Sequence, residues 1–372
     1  MQEIKKRRIV LASVLKPVND PRMFEKIGQS LSRHHEVHII GTTATVDNSN
    51  ASIFFHPLAH YTRLGIDRIL SPLRILKKLL SIKPHLIIIG THELLWVSLI
   101  AKLLLRCKVI YDVRENYFRN ILYTNAFPPI LRVLIALYVR IKEWITAPYI
   151  NIFFLAEAGY EKELKFIGEN KIIIENKVKK MALPVGRKWS SKDQCIHFVF
   201  SGTLGETTGV FIAIDLASRL HAVDPKVRLH IIGFSPLLTV QHEINNLVSA
   251  KNFIHFTVRH EPIPHLEILK AIQQSDVGII AYPSNPSTEN TIPTKLYEYL
   301  GYQLPILLID HAPWVAICQP YHAAIPFNLK NIHAEKILRD LKTNTFYDQI
   351  PQDVFWEVEE IKLLAAVNNQ LT

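Results

Sequence analysis

Residues 290–306 read Asn-Thr-Ile-Pro-Thr-Lys-Leu-Tyr-Glu-Tyr-Leu-Gly-Tyr-Gln-Leu-Pro-Ile. Proline with Thr294 marks a helix start, Gly301 marks its end, and an apolar strand follows. A helix N-terminus presents unpaired N–H groups and a positive dipole end, which suits a diphosphate. Lys295 adds an ammonium in the first turn. Glu298, three residues on, could accept both hydroxyls of a ribose. Lys295 and Glu298 are therefore candidates for binding a nucleoside diphosphate.

A second such arrangement spans 200–210, Phe-Ser-Gly-Thr-Leu-Gly-Glu-Thr-Thr-Gly-Val. Here a strand runs into a glycine-rich turn and then a helix, a backbone cradle for phosphate. Gly202, Thr203, Leu204, Thr208 and Gly209 are its candidates. In the first half, one apolar run ends at Thr91-His92-Glu93 and the next at Tyr111-Asp112-Val113-Arg114-Glu115-Asn116. An imidazole at a strand end could donate a hydrogen bond to a hydroxyl or to a developing phosphate charge, so His92, with Glu115, is a candidate there. Asp112 and Arg114 stand in the same strand-end clusters, and Lys16 and Asn19 in the loop Lys16-Pro17-Val18-Asn19-Asp20-Pro21-Arg22. Asp20 as an N-cap with Pro21 at the first helical position accounts for that loop equally well.

These segments resemble the retaining GT-B glycosyltransferases of family 4. The family's hallmark is a Glu-x7-Glu motif running into helix, glycine and a proline-led strand. Glu298 is the second acid; Asn290 stands at the first, with Glu289 one residue out of register. The family's glycine-rich segment carries an Arg and a Lys against the donor diphosphate, and these positions fall on Thr203 and Thr208. Lys295 or Arg259 could supply the charge instead. The His92-Glu93 pair and the Tyr111–Glu115 segment resemble the family's cleft-lining "His-Asp" and "Tyr-Asp-x-His-Glu", with Arg114 in place of the histidine. The resemblance implies an acceptor-binding first domain, with His92 and Glu115 as catalytic residues and Lys16, Asn19, Asp112 and Arg114 on the acceptor side, and a nucleotide-sugar-binding second domain, with Asn290 catalytic and Leu296 among the donor contacts. It also implies retention of configuration, and catalysis by positioning and by stabilising the departing diphosphate.

Elements that would position these residues recur along all 372 residues, a length that suits two domains. Apolar runs at 8–14, 36–41, 85–90, 108–112, 151–155 and 171–175 alternate with helical patterns at 23–34, 72–80, 94–105 and 129–147. Residues 176–193 break the rhythm and read as a linker. The alternation resumes with strands at 196–201, 228–232, 253–256, 277–281 and 306–309, and helices at 210–221, 239–250, 263–274 and 294–301. Near-continuous Ile/Val/Leu runs between helices predict parallel strands buried on both faces. The expected fold class is therefore α/β: two Rossmann-like doubly wound domains at 1–180 and 190–348, facing a central cleft. A helix at 350–372 is expected to cross back to the first.

The formal charge of +10 is uneven: residues 1–186 carry +13 and residues 187–372 carry −3. Such asymmetry favours an anionic partner of the first half. Two basic amphipathic segments, 68–80 and 132–144, could lie on an anionic membrane, or could be ordinary core-facing helices with wet basic sides. The apolar run behind the basic N-terminus is too short for a secretory signal, and no stretch reaches the ~20 residues of a membrane span. Cys107, Cys195 and Cys318 show no metal or redox spacing and read as small buried hydrophobes in a reducing cytosol.

The expected protein is thus a cytoplasmic enzyme, or a peripheral one on the inner face of the membrane. It would move a sugar from a nucleotide-diphosphate carrier to a glycan or lipid-linked acceptor for cell-surface polysaccharide. No metal, cofactor or nucleic-acid partner is expected. Two rivals remain: a sugar-nucleotide epimerase of the same fold, and a catalytically silent nucleotide- or carbohydrate-binding subunit, which the missing Arg and Lys favour. A dinucleotide dehydrogenase is disfavoured, since no Gly-x-Gly-x-x-Gly follows the first strand.

Overall fold

The computed structural model describes residues 6–46, 50–59, 65–123, 127–180, 195–235, 237–259 and 263–372. They form two compact units. The first comprises Met1–Asn176, Glu289–Thr291 and Trp356–Thr372; the second comprises Lys177–Thr288 and Ile292–Phe355. The expected linker lies mostly outside the described residues.

The first unit holds seven strands: β1 (Arg8–Pro17), β2 (Glu36–Thr42), β3 (Ile53–Leu58), β4 (Leu86–Ile89), β5 (Lys108–Val113), β6 (Ile152–Leu155) and β7 (Lys171–Ile173), in the spatial order β3-β2-β1-β4-β5-β6-β7. Every pairing is parallel. Strand periodicity explains the two cores. Val10, Ala12 and Val14 of β1 join one apolar cluster with Ile75, Leu79 and Leu95 of covering helices. Ile9 and Leu11 point the other way, towards Met23, Ile27 and Trp356.

The second unit repeats the plan with β8 (Ile196–Thr203), β9 (Val227–Phe234), β10 (Ile254–Arg259), β11 (Val277–Ile280), β12 (Ile306–Ile309) and β13 (Ala324–Phe327), ordered β10-β9-β8-β11-β12-β13 and all parallel. In both sheets the order reverses beside the first strand, between β1 and β4 and between β8 and β11. Ligands of doubly wound sheets bind outside the carboxyl ends of strands at such a reversal.

The helix Trp356–Leu371 belongs to the first unit, as the fold class requires. Trp356 is buried there and its indole N–H donates to Ser30 Oγ at 3.0 Å. The Glu359 carboxylate, fully enclosed, accepts from the Glu175 backbone N–H at 3.1 Å and pairs with Lys362 at 2.5 Å.

Several differences from expectation involve proline. The unexpected strands β3 and β13 lie at sheet edges and contain Pro57 and Pro326, residues a strand tolerates mainly at an edge. The helix Ile66–Ile82 begins six residues before Pro72, which lies inside it rather than at its start. Short helices at Tyr117–Tyr123, Ala312–Cys318 and Ala334–Thr343 were also not expected. Cys107 and Cys318 are buried as expected, while Cys195 is half-buried.

Trp356→Ala should remove the bridge between the last helix and the first unit's core. The expected cost is ~3–5 kcal/mol, read as a lower denaturation midpoint in urea.

Candidate active site

In the second unit, β8 delivers the chain to Gly202, whose φ of 97° favours glycine. A Cβ at Gly202 would stand 2.8 Å from Lys295 Cε, so the missing side chain is what lets Lys295 lie across the strand end. Lys295 is only 4% exposed. Its ammonium sits 4.6 Å from the centre of the Phe200 ring and 5.1 Å from that of Tyr282, and donates to the Tyr282 hydroxyl at 3.4 Å. Ring faces partly replace the water this cation gave up. The helix Thr294–Gly301 places Lys295 in its first turn, where helical N–H groups lack intrahelical acceptors. Glu298 follows one turn later; His265 Nε2 lies 2.8 Å from its Oε1. That histidine pairing was not foreseen from the sequence.

The glycine-rich turn is tied more closely to itself than a phosphate cradle would require. Gly209, at φ 83°, backs onto the end of β11: a Cβ there would meet the Ala281 carbonyl oxygen at 1.9 Å. The Thr208 hydroxyl accepts from the Gly205 N–H and donates to the Gly205 carbonyl, both at 3.0 Å. Leu204 and Leu296 are core side chains. Their N–H groups are committed too, to the carbonyls of Phe234 and Pro293, each at 2.8 Å. Leu204, Thr208 and Leu296 thus shape the turn and the helix start. Thr203 is exposed at the end of β8. Arg259, the other candidate for the missing charge, is exposed and paired with Glu267 at 3.3 Å, whereas Lys295 is enclosed at the strand end.

In the first unit, the candidates gather at the carboxyl ends of β1, β4 and β5. Asp112 is fully enclosed. Arg22 grips it with Nη2 to Oδ1 at 2.6 Å and Nε to Oδ2 at 3.0 Å, and Arg114 Nε reaches Oδ2 at 2.8 Å. Burial pushes this carboxyl up, but the two guanidinium groups outweigh it and hold it below its ordinary value. Arg114 Nη1 continues to Asp20 Oδ1 at 2.8 Å. The same Asp20 oxygen caps the next helix through the Met23 N–H at 2.9 Å. Asp112 and Arg114 thus clamp the loops after β1 and β5. Lys16 Nζ pairs with Glu115 Oε1 at 3.2 Å, and Asn120 donates to Glu115 Oε2 at 2.9 Å. Asn19 donates to the Thr45 carbonyl at 3.0 Å.

His92 opens a short helical turn after β4 and is nearly buried. Lys142 Nζ stands 2.9 Å from its Nδ1. An ammonium can only donate, so Nδ1 accepts and the proton of the neutral ring lies on Nε2. Nε2 faces Glu93 Oε2 at 3.7 Å, while Arg68 holds Glu93 Oε1 at 2.6 Å. Burial, with help from Lys142 and Arg68, pushes the His92 pKa down to about 4. Burial also lowers Lys142 to about 8 and raises its neighbour Glu143 to about 7. The imidazole is therefore a neutral hydrogen-bond donor over the physiological range, not a cation. In the sequence, Lys142 is one of several basic residues of an amphipathic segment, and nothing there distinguishes it from those that face water. Its spacing with the buried Ala136, Val139 and Thr146 marks it as part of the inward stripe.

Asn290, grouped with the first unit, donates to Glu163 Oε1 at 2.6 Å. Glu163 also accepts from Arg119 at 2.7 Å and from Asn116 at 2.7 Å. The residue at the position of the motif's first acid is thus itself bound to a carboxylate that sequence gave no reason to single out.

Two parallel doubly wound sheets in one chain, each with candidates at its strand ends, and a last helix returning to the first unit, define the GT-B fold. Solved structures of that fold match nearly end to end. Sucrose-phosphate synthase from Thermosynechococcus elongatus matches with a TM-score of 0.69 at 13% identity, over 98% of this chain and 99% of its own. Anabaena HepE in complex with UDP-glucose matches at 0.65 and 11% identity, over 98% and 100%. The catalytic domain of starch synthase IV from Arabidopsis thaliana, bound to ADP and acarbose, matches at 0.64 and 12% identity, over 98% and 99%. No protein-family model and no curated protein sequence matches the chain.

The His92 ring should titrate near 4 by NMR rather than near its ordinary 6.5, and Lys142→Met should move that midpoint up. Because the folded value is depressed, His92 contributes stability that is present above about 6.5 and is lost as pH falls towards about 4. His92→Asn should make the fall of the melting temperature across that window shallower, with His56 and His230, also lowered to about 4, supplying the part that remains.

Proposed function

We propose that this chain is a glycosyltransferase that takes a sugar from a nucleoside diphosphate carrier. The observation that carries the reading is the second unit's strand reversal. A buried lysine, a side-chain-free strand end and a helix N-terminus meet there, one turn before a carboxylate. Pyrophosphate would lie against Thr294 and Lys295, and the ribose hydroxyls against Glu298. The likeness in fold to structures holding UDP-glucose or ADP supports a donor of that class. With Asn290, Lys295 and Glu298 as donor residues and His92 and Glu115 on the acceptor side, the chemistry rests on positioning and on stabilising the leaving diphosphate. A neutral His92 would offer Nε2–H to a sugar hydroxyl without adding charge. Resemblance in the 290–306 motif supports retention of configuration and an acceptor that is a glycan or lipid-linked sugar, in cell-surface polysaccharide synthesis. The reaction would need no metal, so chelation should leave turnover unchanged.

A silent binding subunit is the second reading, favoured by Thr203 and Thr208 standing where the resembled family has Arg and Lys. A screen of sugar nucleotides for nucleoside diphosphate release, with and without lipid-linked acceptors, tests the enzymatic reading directly. Isomerised donor without transfer would identify an epimerase. Calorimetry with UDP, ADP and GDP tests the binding site. Lys295→Ala should weaken nucleotide binding by ~1.5–3 kcal/mol and Glu298→Ala by ~1–3 kcal/mol. Unchanged affinity in folded variants would remove these residues from the site, and no binding of any nucleotide at millimolar concentration would favour the silent subunit.

A further inference from the structure

Three helices of the first unit, Ile66–Ile82, Leu95–Leu105 and Pro129–Thr146, are amphipathic in an unusual sense: the side facing away from the sheet is also apolar. The middle one packs against both others. Their inward residues, among them Ile75, Ala101 and Val139, are fully buried. Outward, Ile69 is 74% exposed, Leu103 81%, Ile130 83% and Leu134 60%, with Trp144 at 53%. Single exposed leucines need no explanation, but an apolar sheet spread over three adjacent helices marks a surface that leaves water elsewhere.

Charge says what covers it. The only acidic residues on the three helices are Asp67 and Glu143, and Glu143 is buried. Arg74, Lys77 and Lys78 on the first helix are exposed, as are Lys83 just beyond it and Arg106 and Lys108 beyond the second. An apolar plate with a basic fringe complements a bilayer carrying anionic headgroups: side chains enter the acyl boundary while lysines and arginines stay at the phosphates. None of the described helices is long and apolar enough to cross a membrane, so the plate would lie on the surface.

We infer that the outward faces of these three helices seat the first unit on an anionic lipid bilayer, apolar plate inward and basic fringe on the headgroups. This stands apart from the sugar-transfer reading, since it uses none of the candidate active-site residues, and it survives if no nucleotide binds.

The test is flotation of the full chain with vesicles of phosphatidylcholine alone or mixed with phosphatidylglycerol. Flotation with the mixed vesicles, weakened by salt, is expected. Leu103→Glu with Leu134→Glu should lower the bound fraction by about tenfold or more, with an unchanged melting temperature, since both side chains already face water. Lys77→Glu with Lys78→Glu supplies a second variant, which should lose the preference for phosphatidylglycerol. Failure to float with mixed vesicles, equal flotation by both variants, or a stable dimer in solution that the leucine pair dissociates would overturn the inference.

Discussion

Reversal of strand order governs what this chain can do. A parallel sheet needs a crossover between neighbouring strands, and these crossovers cover its faces with helices. Only where successive crossovers turn in opposite directions does the carboxyl edge stay uncovered. In each unit that place lies next to the first strand, beside β1 in one and β8 in the other. The residues that could do chemistry stand there because the topology leaves them nowhere else to meet a ligand.

The two reversals are furnished differently. In the second unit one cation, Lys295, rests against aromatic rings with its charge unspent on any carboxylate among its described contacts. In the first, charges are spent on each other: Asp112 between Arg22 and Arg114, Lys16 on Glu115, Arg68 on Glu93. Buried ion pairs add little net stability, but they fix geometry, since leaving any one partner unpaired is costly. Accordingly, the first unit's loops are held rigid by their own electrostatics, and the second's strand end keeps a charge available.

The sheets were legible because Ile, Val and Leu cluster in short runs that only doubly buried strands produce, as at 86–89 and 277–280. Prolines at sheet edges hid β3 and β13, where an ordinary interior pattern was sought. Among the candidates, the placement of Lys295 and Glu298 at the start of a helix could be read from helix start signals alone. Thr208 could not: its hydroxyl had two possible destinations, and local bonding within the turn prevailed. Lys142 and Glu163 were invisible for a different reason. Lys142 meets His92 from fifty positions away and Glu163 meets Asn290 from 127, and residue type alone does not announce such partners.

The return of the last helix has a consequence for biosynthesis. The segment through Asn176 leaves the ribosome before the second unit, yet the tryptophan that fills its core arrives only with residue 356. Domains generally fold in the order they are made. Here the earlier-made unit must wait, with part of its apolar interior open, until the later one has been completed. The nascent chain is therefore most exposed to aggregation, and most in need of a chaperone, across the interval in which the second unit is translated.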